Sequence, residues 1–332
     1  MNTLFVLLDG MEDHPHPLLD GKKPYEVAKM PFLYEKTKHK HFTTGRGYTQ
    51  LFLNEFFTGH PPELPRAVLE AIGLGMDISG SRTAYRLSPA ELKDGMIHWS
   101  YHAHLFCDKM MPIMMDNLHI LKEYDPEIKF FINGRAVITM DCDEVPDLPA
   151  PPVDAPFKEV PGALGRFVMK VAEEMGGITD YPWGCGKFTK QYPAFECLGK
   201  MTAVSDSPTA LGVVASLGNE TYLVDDVEDR FPIAKKALEK ENVLLHIDEV
   251  DEYSHQKDPY KKIEILERTD RLMKEYFSDA ERIVYFVDHG TSCVTGEHII
   301  MDVPFWTNIN TDMNDGELIP LDRVIPRLMR QR

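Results

Sequence analysis

ERIVYFVDHG, residues 281–290, carries an apolar run straight into an acid, an imidazole and a glycine. Uninterrupted apolar runs of this kind belong to strands buried on both faces, as in parallel sheets. Two further stretches repeat the pattern, TLFVLLDG (3–10) and NVLLHIDEVDEYSH (242–255). Between the last two strands KKIEILERTDRLMKEYF (261–277) sets Ile263, Ile265, Leu266, Leu272, Met273 and Phe277 at helical spacing. Strand, helix, strand, with acids at the strand ends, predicts an α/β chain built on a doubly wound, mostly parallel sheet. Ligands of such sheets lie beyond the carboxyl ends of the strands. Asp9, Asp248, Asp251 and Asp288 all fall there.

Outside these stretches the pattern changes. PYEVAKMPFLYEKTKHK (24–40) reads as a helix broken or bounded at Pro31. From about residue 76 to 150 short strands alternate with turns: RTAYRL, MIHWSYHAHLF, KFFINGRAVITM. The proline-rich DEVPDLPAPPVDAPFKEVPG (143–162) reads as a linker, and GALGRFVMKVAEEMG (162–176) resumes helix. The expected organisation is a core of residues 1–75 and 161–332 with a smaller α+β module, 76–160, inserted into it. Hinges are expected near 73–78 and 150–162.

With 332 residues, the chain is long enough for two cores. A net charge of −17 argues against nucleic acid as a partner, because phosphate-backbone binders present basic faces. A small anionic substrate remains compatible, since it needs only a local cluster of cations. The five cysteines are scattered with no C-x-x-C pair, which fits reduced thiols and a cytoplasmic setting. MNTLFVLLDGMEDH reads as a buried strand rather than a signal peptide. No stretch approaches the ~18 apolar residues of a membrane span. Oligomeric state is not legible in these features.

The residues gathered at the sheet edge carry the chemistry. Asp251 and His255 stand four apart, on one face of a helical turn; the plain alternative is a capped, solvated turn. Asp288 and His289 end a strand, and His298 follows in the next loop. Carboxylate and imidazole suit Zn or Mn; polar residues resuming after a strand are the plain alternative. Together, Asp9, Asp251, His255, Asp288, His289 and His298 are six donors gathered by one sheet edge, near the six to seven that two divalent ions need. A seventh candidate is Thr49 in RGYTQLFLNEFFTGHPP (46–62), set before a helix-like run. A hydroxyl at a helix N-terminus beside a divalent cation is a nucleophile; otherwise Thr49 is an N-cap. His102 and His104 alternate on a strand and share a face. The pairs His14/His16 and His39/His41 read as loop or surface residues.

VLLDG, D-x-x-x-H, strand-DHG and a further histidine resemble the metal-binding pattern of the alkaline phosphatase superfamily, most nearly its archaeal-type cofactor-independent phosphoglycerate mutase branch. Similar segments span most of the chain: FVLLDGMEDHPHPLLDGKKPYEVAKMPFLYE, LPRAVLEAIGLGMDI, GSRTAYRLSPAELKDGMI, WGCGKFTKQYPAFECLGKMTAVSD, DEVDEYSHQKDPYKKIEILERTDRLM and VDHGTSCVTGEHIIMDVPF. The resemblance implies an alkaline phosphatase-like core and two ions, Mn or Zn. Asp251, His255 and His298 would hold one ion, and Asp9, Thr49, Asp288 and His289 the other. It implies phosphoryl transfer on a small phosphorylated acid, with Thr49 as nucleophile and with Arg82, Arg86 and Lys187 binding the substrate's anionic groups; Lys187 would also serve the reaction. Two departures stand out. The archaeal branch has serine followed by aspartate in a longer loop, where this chain reads Tyr48-Thr49-Gln50; an arginine-rich stretch after GMI is replaced by HWSYHAHLF. They open two alternatives, a phosphatase or phosphodiesterase on the same centre and a relative that binds metal or a phosphorylated ligand without turnover.

Overall fold

The computed structural model describes residues 1–99, 106–131, 134–151 and 153–330. His102 and His104 lie outside the described residues. The chain divides into two compact units, Met1–Pro62 with Gln191–Arg332, and Glu63–Lys190.

The first unit is built on an eight-stranded sheet. From one edge its strands are Glu220–Leu223, Met201–Ser205, Asn242–Ile247, Leu4–Leu8, Ile283–Phe286, Asp302–Thr307, His39–Thr44 and Leu318–Ile319. Only Asp302–Thr307 runs against its neighbours; every other pairing along the described sheet is parallel. The α/β, mostly parallel sheet expected from the sequence is borne out. Leu4–Leu8, Asn242–Ile247 and Ile283–Phe286 are buried along their whole length, as their continuous apolar runs require. Helix Thr49–Thr58 covers one face. Phe5 meets Phe56 and Phe57 edge-on, and Phe286 stacks on Phe56 with ring centroids 4.7 Å apart. Each such buried side chain contributes about 1.5–3 kcal/mol. Helices Val227–Leu238 and Pro259–Phe277 pack together, with Phe231 against Phe277. Among the described residues no helix is long and apolar enough to cross a membrane.

Register decides which residues meet at the sheet edge. Leu8 stands opposite Ile247, and Leu7 opposite Phe286. The residues just beyond, Asp9, Asp248 and Asp288, therefore emerge side by side from three adjacent strands.

Within the stretch 24–40 lie two short helices, Pro24–Val27 and Pro31–Lys36, split before Pro31 as its ring requires. His39 and His41 lie on a strand of the sheet rather than in a loop, and His41 is fully buried against Phe305. His16 is also buried, its Nδ1 accepting the Leu18 N–H.

The second unit is wider than the expected 76–160. Its sheet runs Glu127–Phe131, Arg135–Asp141, Arg82–Lys93, Met96–Trp99 and Ala155–Pro156, with Ile178–Lys187 also paired to Arg82–Lys93. On Arg82–Lys93, Tyr85 and Leu87 join a core that includes Leu164, Phe167 and Val168 of helix Gly162–Glu174. Arg86, between them, turns to Glu70 of helix Arg66–Gly73. Both helices and the strand Ile178–Lys187 thus belong to this unit. The proline-rich stretch is a strap within it and does not link the units. Tyr85 Oη donates to Glu144 O, Ala155 pairs with Ile97, and Phe157 N–H donates to Gly95 O.

Candidate metal centre

Three parallel strands and one helix deliver the acids and imidazoles of the first unit. Asp9 follows Leu4–Leu8 and is 1 % exposed, while Asp288 and His289 follow Ile283–Phe286 and are fully buried. Asp251 and His255 lie one turn apart on helix Glu249–His255, with Asp251 Oδ2 3.0 Å from His255 Nε2. His298 starts the short strand His298–Ile299, which pairs with Gly290–Thr291 and so returns to the end of Ile283–Phe286. Gly10 makes this crowding feasible. It takes φ +60, and a Cβ there would sit 2.5 Å from both Asp251 Oδ1 and Thr291 Oγ1.

Hydrogen bonds fix the three imidazoles in one sense. His255 Nδ1 lies 2.8 Å from Gly296 O, and His298 Nδ1 2.8 Å from Gly47 O. A carbonyl only accepts, so both rings carry their proton on Nδ1 and turn an unprotonated Nε2 inward in the neutral form. The two Nε2 atoms face each other at 3.0 Å, with Asp251 Oδ2 3.6 Å from that of His298. Lone pairs brought this close need a cation between them. In the ion-free protein that cation is a proton. Burial lowers the affinity of His255 for it, but the Asp251 carboxylate outweighs burial and pushes the imidazole up to about 9. Burial likewise raises the Asp251 carboxyl, yet His255 and His298 reverse this and hold it well below the usual range.

The neighbouring group has the same logic. His289 Nδ1 lies 3.1 Å from Thr291 Oγ1 and 3.3 Å from Gly290 O. Its Nε2 stands 3.2 Å from Asp9 Oδ1 and 3.3 Å from Asp288 Oδ2, and none of these three buried atoms has a hydrogen-bond partner among the described residues. Orphaned buried polar atoms are rare and expensive. Two carboxylate oxygens and an imidazole nitrogen converging at these distances have the chemistry of a divalent-ion cradle. Burial, then the charges of Asp288, Asp251 and Asp248, push the Asp9 carboxyl well up in the ion-free protein. Thr49 opens helix Thr49–Thr58, and its Oγ1 donates to Asp9 Oδ2 at 3.2 Å. His289 and His298 stack at 4.1 Å, and Asp251 can serve Asp9 and His289 as well as His255 and His298. All seven residues expected to bind metal therefore stand in two adjoining clusters.

Arg82, Arg86 and Lys187 belong to the second unit, and their partners are internal to it. Arg82 binds Asp125, Asp125 O and Thr139 O. Arg86, 2 % exposed, binds Glu70, Leu87 O and Ser88, and its guanidinium lies 4.9 Å from the Trp183 ring centre. Lys187 Nζ pairs with Asp143.

Sequence reasoning missed His246 and Lys262 around the centre, and it placed Asp248 at the strand end without counting it among the ligands. His246, fully buried in Asn242–Ile247, places Nε2 2.7 Å from Asp9 Oδ2 and 3.6 Å from Asp248 Oδ1. Burial, then Arg230, depress its basicity to about 3, so it is neutral. Its signal was visible as the lone polar side chain inside VLLHI. Asp248 sits beside it. Lys262, fully buried on helix Pro259–Phe277, donates to Gly10 O at 2.9 Å, Thr291 O at 3.0 Å and Asp13 Oδ2 at 3.2 Å. It ties the loop after Asp9 to the loop after His289.

A family model described as the metalloenzyme superfamily matches residues 206–317, the span containing Asp251, His255, Asp288, His289 and His298. The 2,3-bisphosphoglycerate-independent phosphoglycerate mutase of Pyrococcus horikoshii is 24 % identical over 363 residues, covering 91 % of this chain and 86 % of that one. The enzyme of the same name from Methanopyrus kandleri is 25 % identical over 370 residues, covering 92 % and 87 %. Among solved structures, a Pyrococcus horikoshii protein matches with TM-score 0.71 at 18 % identity over 99 % of this chain and 96 % of that one. The cofactor-independent phosphoglycerate mutase from Thermoplasma acidophilum matches with TM-score 0.54 at 18 % identity over 98 % of each. The solved structures support the fold, and the resemblance read from the sequence is borne out.

Proposed function

We propose that this chain, a metalloenzyme similar over nine-tenths of its length to archaeal phosphoglycerate mutases, transfers phosphoryl groups through a phospho-threonine at Thr49. The observation that carries this reading is the Thr49 hydroxyl 3.2 Å from Asp9 Oδ2, next to the orphaned Asp9, Asp288 and His289 atoms. Asp9, Asp288, His289 and Thr49 would hold one divalent ion, and Asp251, His255 and His298 the other. Such a pair, Mn or Zn, supplies charge neutralisation and Lewis acidity to the attacking hydroxyl and the phosphoryl oxygens.

The chain's own residues do the rest. Asp9 Oδ2 receives the Thr49 hydrogen bond, which points an oxygen lone pair away from the sheet edge. The peptide dipoles at the start of Thr49–Thr58 favour the phosphoryl anion there. Thr49 Oγ attacks phosphorus, the P–O bond to the leaving group breaks, and the hydroxyl proton is passed through solvent to the departing oxygen. A second hydroxyl of the still-bound, now dephosphorylated acid then attacks the phospho-threonine, the P–O bond to Thr49 breaks, and Thr49 is freed to complete a mutase cycle.

Hydrolysis of the same phospho-threonine by water is the second reading. It is favoured by the engagement of Arg82 and Arg86 within the second unit, because a mutase must grip both anionic ends of one substrate. Incubation with Mn and 3-phosphoglycerate labelled at phosphorus, followed by peptide mapping, should place label on Thr49. The same incubation separates isomerised acid from free phosphate as product. Absence of label with a panel of phosphoesters, together with undiminished turnover in Thr49→Ala, would overturn the phospho-threonine.

A further inference from the structure

His246 sits at the centre of a buried relay that ends on Asp9. The Ser207 N–H donates to Ser205 Oγ at 2.8 Å, Ser205 Oγ lies 2.7 Å from His246 Nδ1, and His246 Nε2 lies 2.7 Å from Asp9 Oδ2. Ser205, His246 and Asp9 are each at most 1 % exposed, so no water competes for these bonds. A carboxylate ionised for metal binding only accepts, which places the imidazole proton on Nε2. Nδ1 then accepts the Ser205 hydroxyl, whose oxygen still accepts Ser207 N–H. Every partner in the chain is satisfied by one tautomer.

The effect falls on Asp9. Its Oδ2 takes two donors, His246 and Thr49, whereas its Oδ1 has none and faces His289 Nε2. A carboxylate held by one oxygen and free at the other is an aimed ligand. Partners of this kind orient metal ligands, and their loss lowers metal affinity by about 10–100-fold. We infer that His246, locked by Ser205, is a positioning residue that aims Asp9 at the divalent ion it shares with Asp288 and His289. The inference rests on the reading of Asp9 as a metal ligand under Proposed function.

Calorimetric titration of the full chain with Mn tests it. Wild type should take two equivalents. His246→Leu, apolar and similar in bulk, should weaken one equivalent about 10–100-fold and leave the other within about twofold, as the Asp251, His255 and His298 cluster is untouched. His246→Gln keeps an N–H at the position of Nε2 and should recover most of the lost affinity. Ser205→Ala should weaken the same equivalent several-fold, and it carries the test together with His246→Gln if His246→Leu does not fold. Three outcomes overturn the inference while leaving the metal centre standing. These are wild-type affinity for both equivalents in His246→Leu, a His246→Gln protein as impaired as His246→Leu, and complete loss of an equivalent on His246→Gln, which would make His246 itself a ligand. A wild-type chain that takes no Mn overturns both the inference and the centre.

Discussion

At the scale of single residues, the ion-free centre is a set of groups that repel or orphan one another, so removing one should stabilise the empty protein while spoiling the loaded one. Asp288 shows this most clearly. Its Oδ1 accepts from Gly10 N and His289 N, while Oδ2 is buried without a partner. In Asp288→Asn the amide oxygen can keep both backbone bonds, and the NH2 group can donate toward Asp9 Oδ1. The expected result is a metal-free melting temperature unchanged or raised by about 2–4 °C, the equivalent of roughly 1 kcal/mol. Mn affinity of one equivalent should fall by at least about 100-fold. Unchanged affinity would remove Asp288 from the ligand set. His255 makes a second test through pH. Its imidazole is held near 9 in the ion-free protein, above its unfolded value of about 6.5. Its contribution to apo stability is therefore complete below pH 6.5 and disappears as pH rises through about 9. Metal needs the deprotonated ring, so the affinity of the Asp251, His255 and His298 site should climb from pH 6.5 to 9 and then level off. Titrations across that window, with proton release measured in two buffers, check the slope. A flat profile would mean that His255 is not a ligand.

At the scale of elements, Lys262 connects what the sheet alone leaves loose. Asp9 and Asp288 emerge from adjacent strands, and among the described residues the main chains of the loops that follow them meet only through single bridges of Met11 and Glu12 to Gly290 and the Thr291 N–H donating to Glu12 O; Gly290–Thr291 also pairs briefly with His298–Ile299. One fully buried ammonium from helix Pro259–Phe277 holds both loops through Gly10 O, Thr291 O and Asp13. Lys262→Met keeps the length of the stem but leaves Asp13, also fully buried, without its counter-ion. Breaking one partner of a buried pair costs about 3–5 kcal/mol. Denaturant unfolding should show that loss, and Lys262→Met/Asp13→Asn should recover part of it. A cost below about 1 kcal/mol would show that the loops are held by something else. This element also marks what was legible in the sequence. The helix 261–277 was readable from its apolar stripe, and the strands from their continuous runs ending in acids. The seven metal-binding candidates were readable because each follows a strand or shares a helical turn. Lys262 and His246 were not, since their importance comes from tertiary partners 252 and 237 residues away. The proline-rich strap misled for the same reason: composition signals a linker, whereas Tyr85, Ile97 and Gly95 bind it into the second unit.

At the scale of the whole molecule, the two units carry different kinds of stability. The second has a self-contained core around Tyr85, Phe167 and Tyr181, and the candidate metal groups found among the described residues all lie in the first. The first unit gathers Asp206, Asp248, Asp9 and Asp288 at the ends of four neighbouring parallel strands, with Asp251 on the helix that follows one of them. Arg230 offsets part of this charge through Asp206 and Glu249. Part of the stability from apolar burial therefore goes to holding like charges together, and cations bound there would offset that cost. A ligand present at about 100 times its Kd adds about 2.7 kcal/mol to the state that binds it. Scanning calorimetry with and without chelator should show a transition of the first unit that falls by several degrees when metal is stripped. The transition of the second unit should hold its temperature if the two are resolved. If chelation moved neither, the acids at the sheet edge would be neutral in the native protein, and the centre would not be a metal site. If it moved only the second, the ion would be held by residues of Glu63–Lys190 instead.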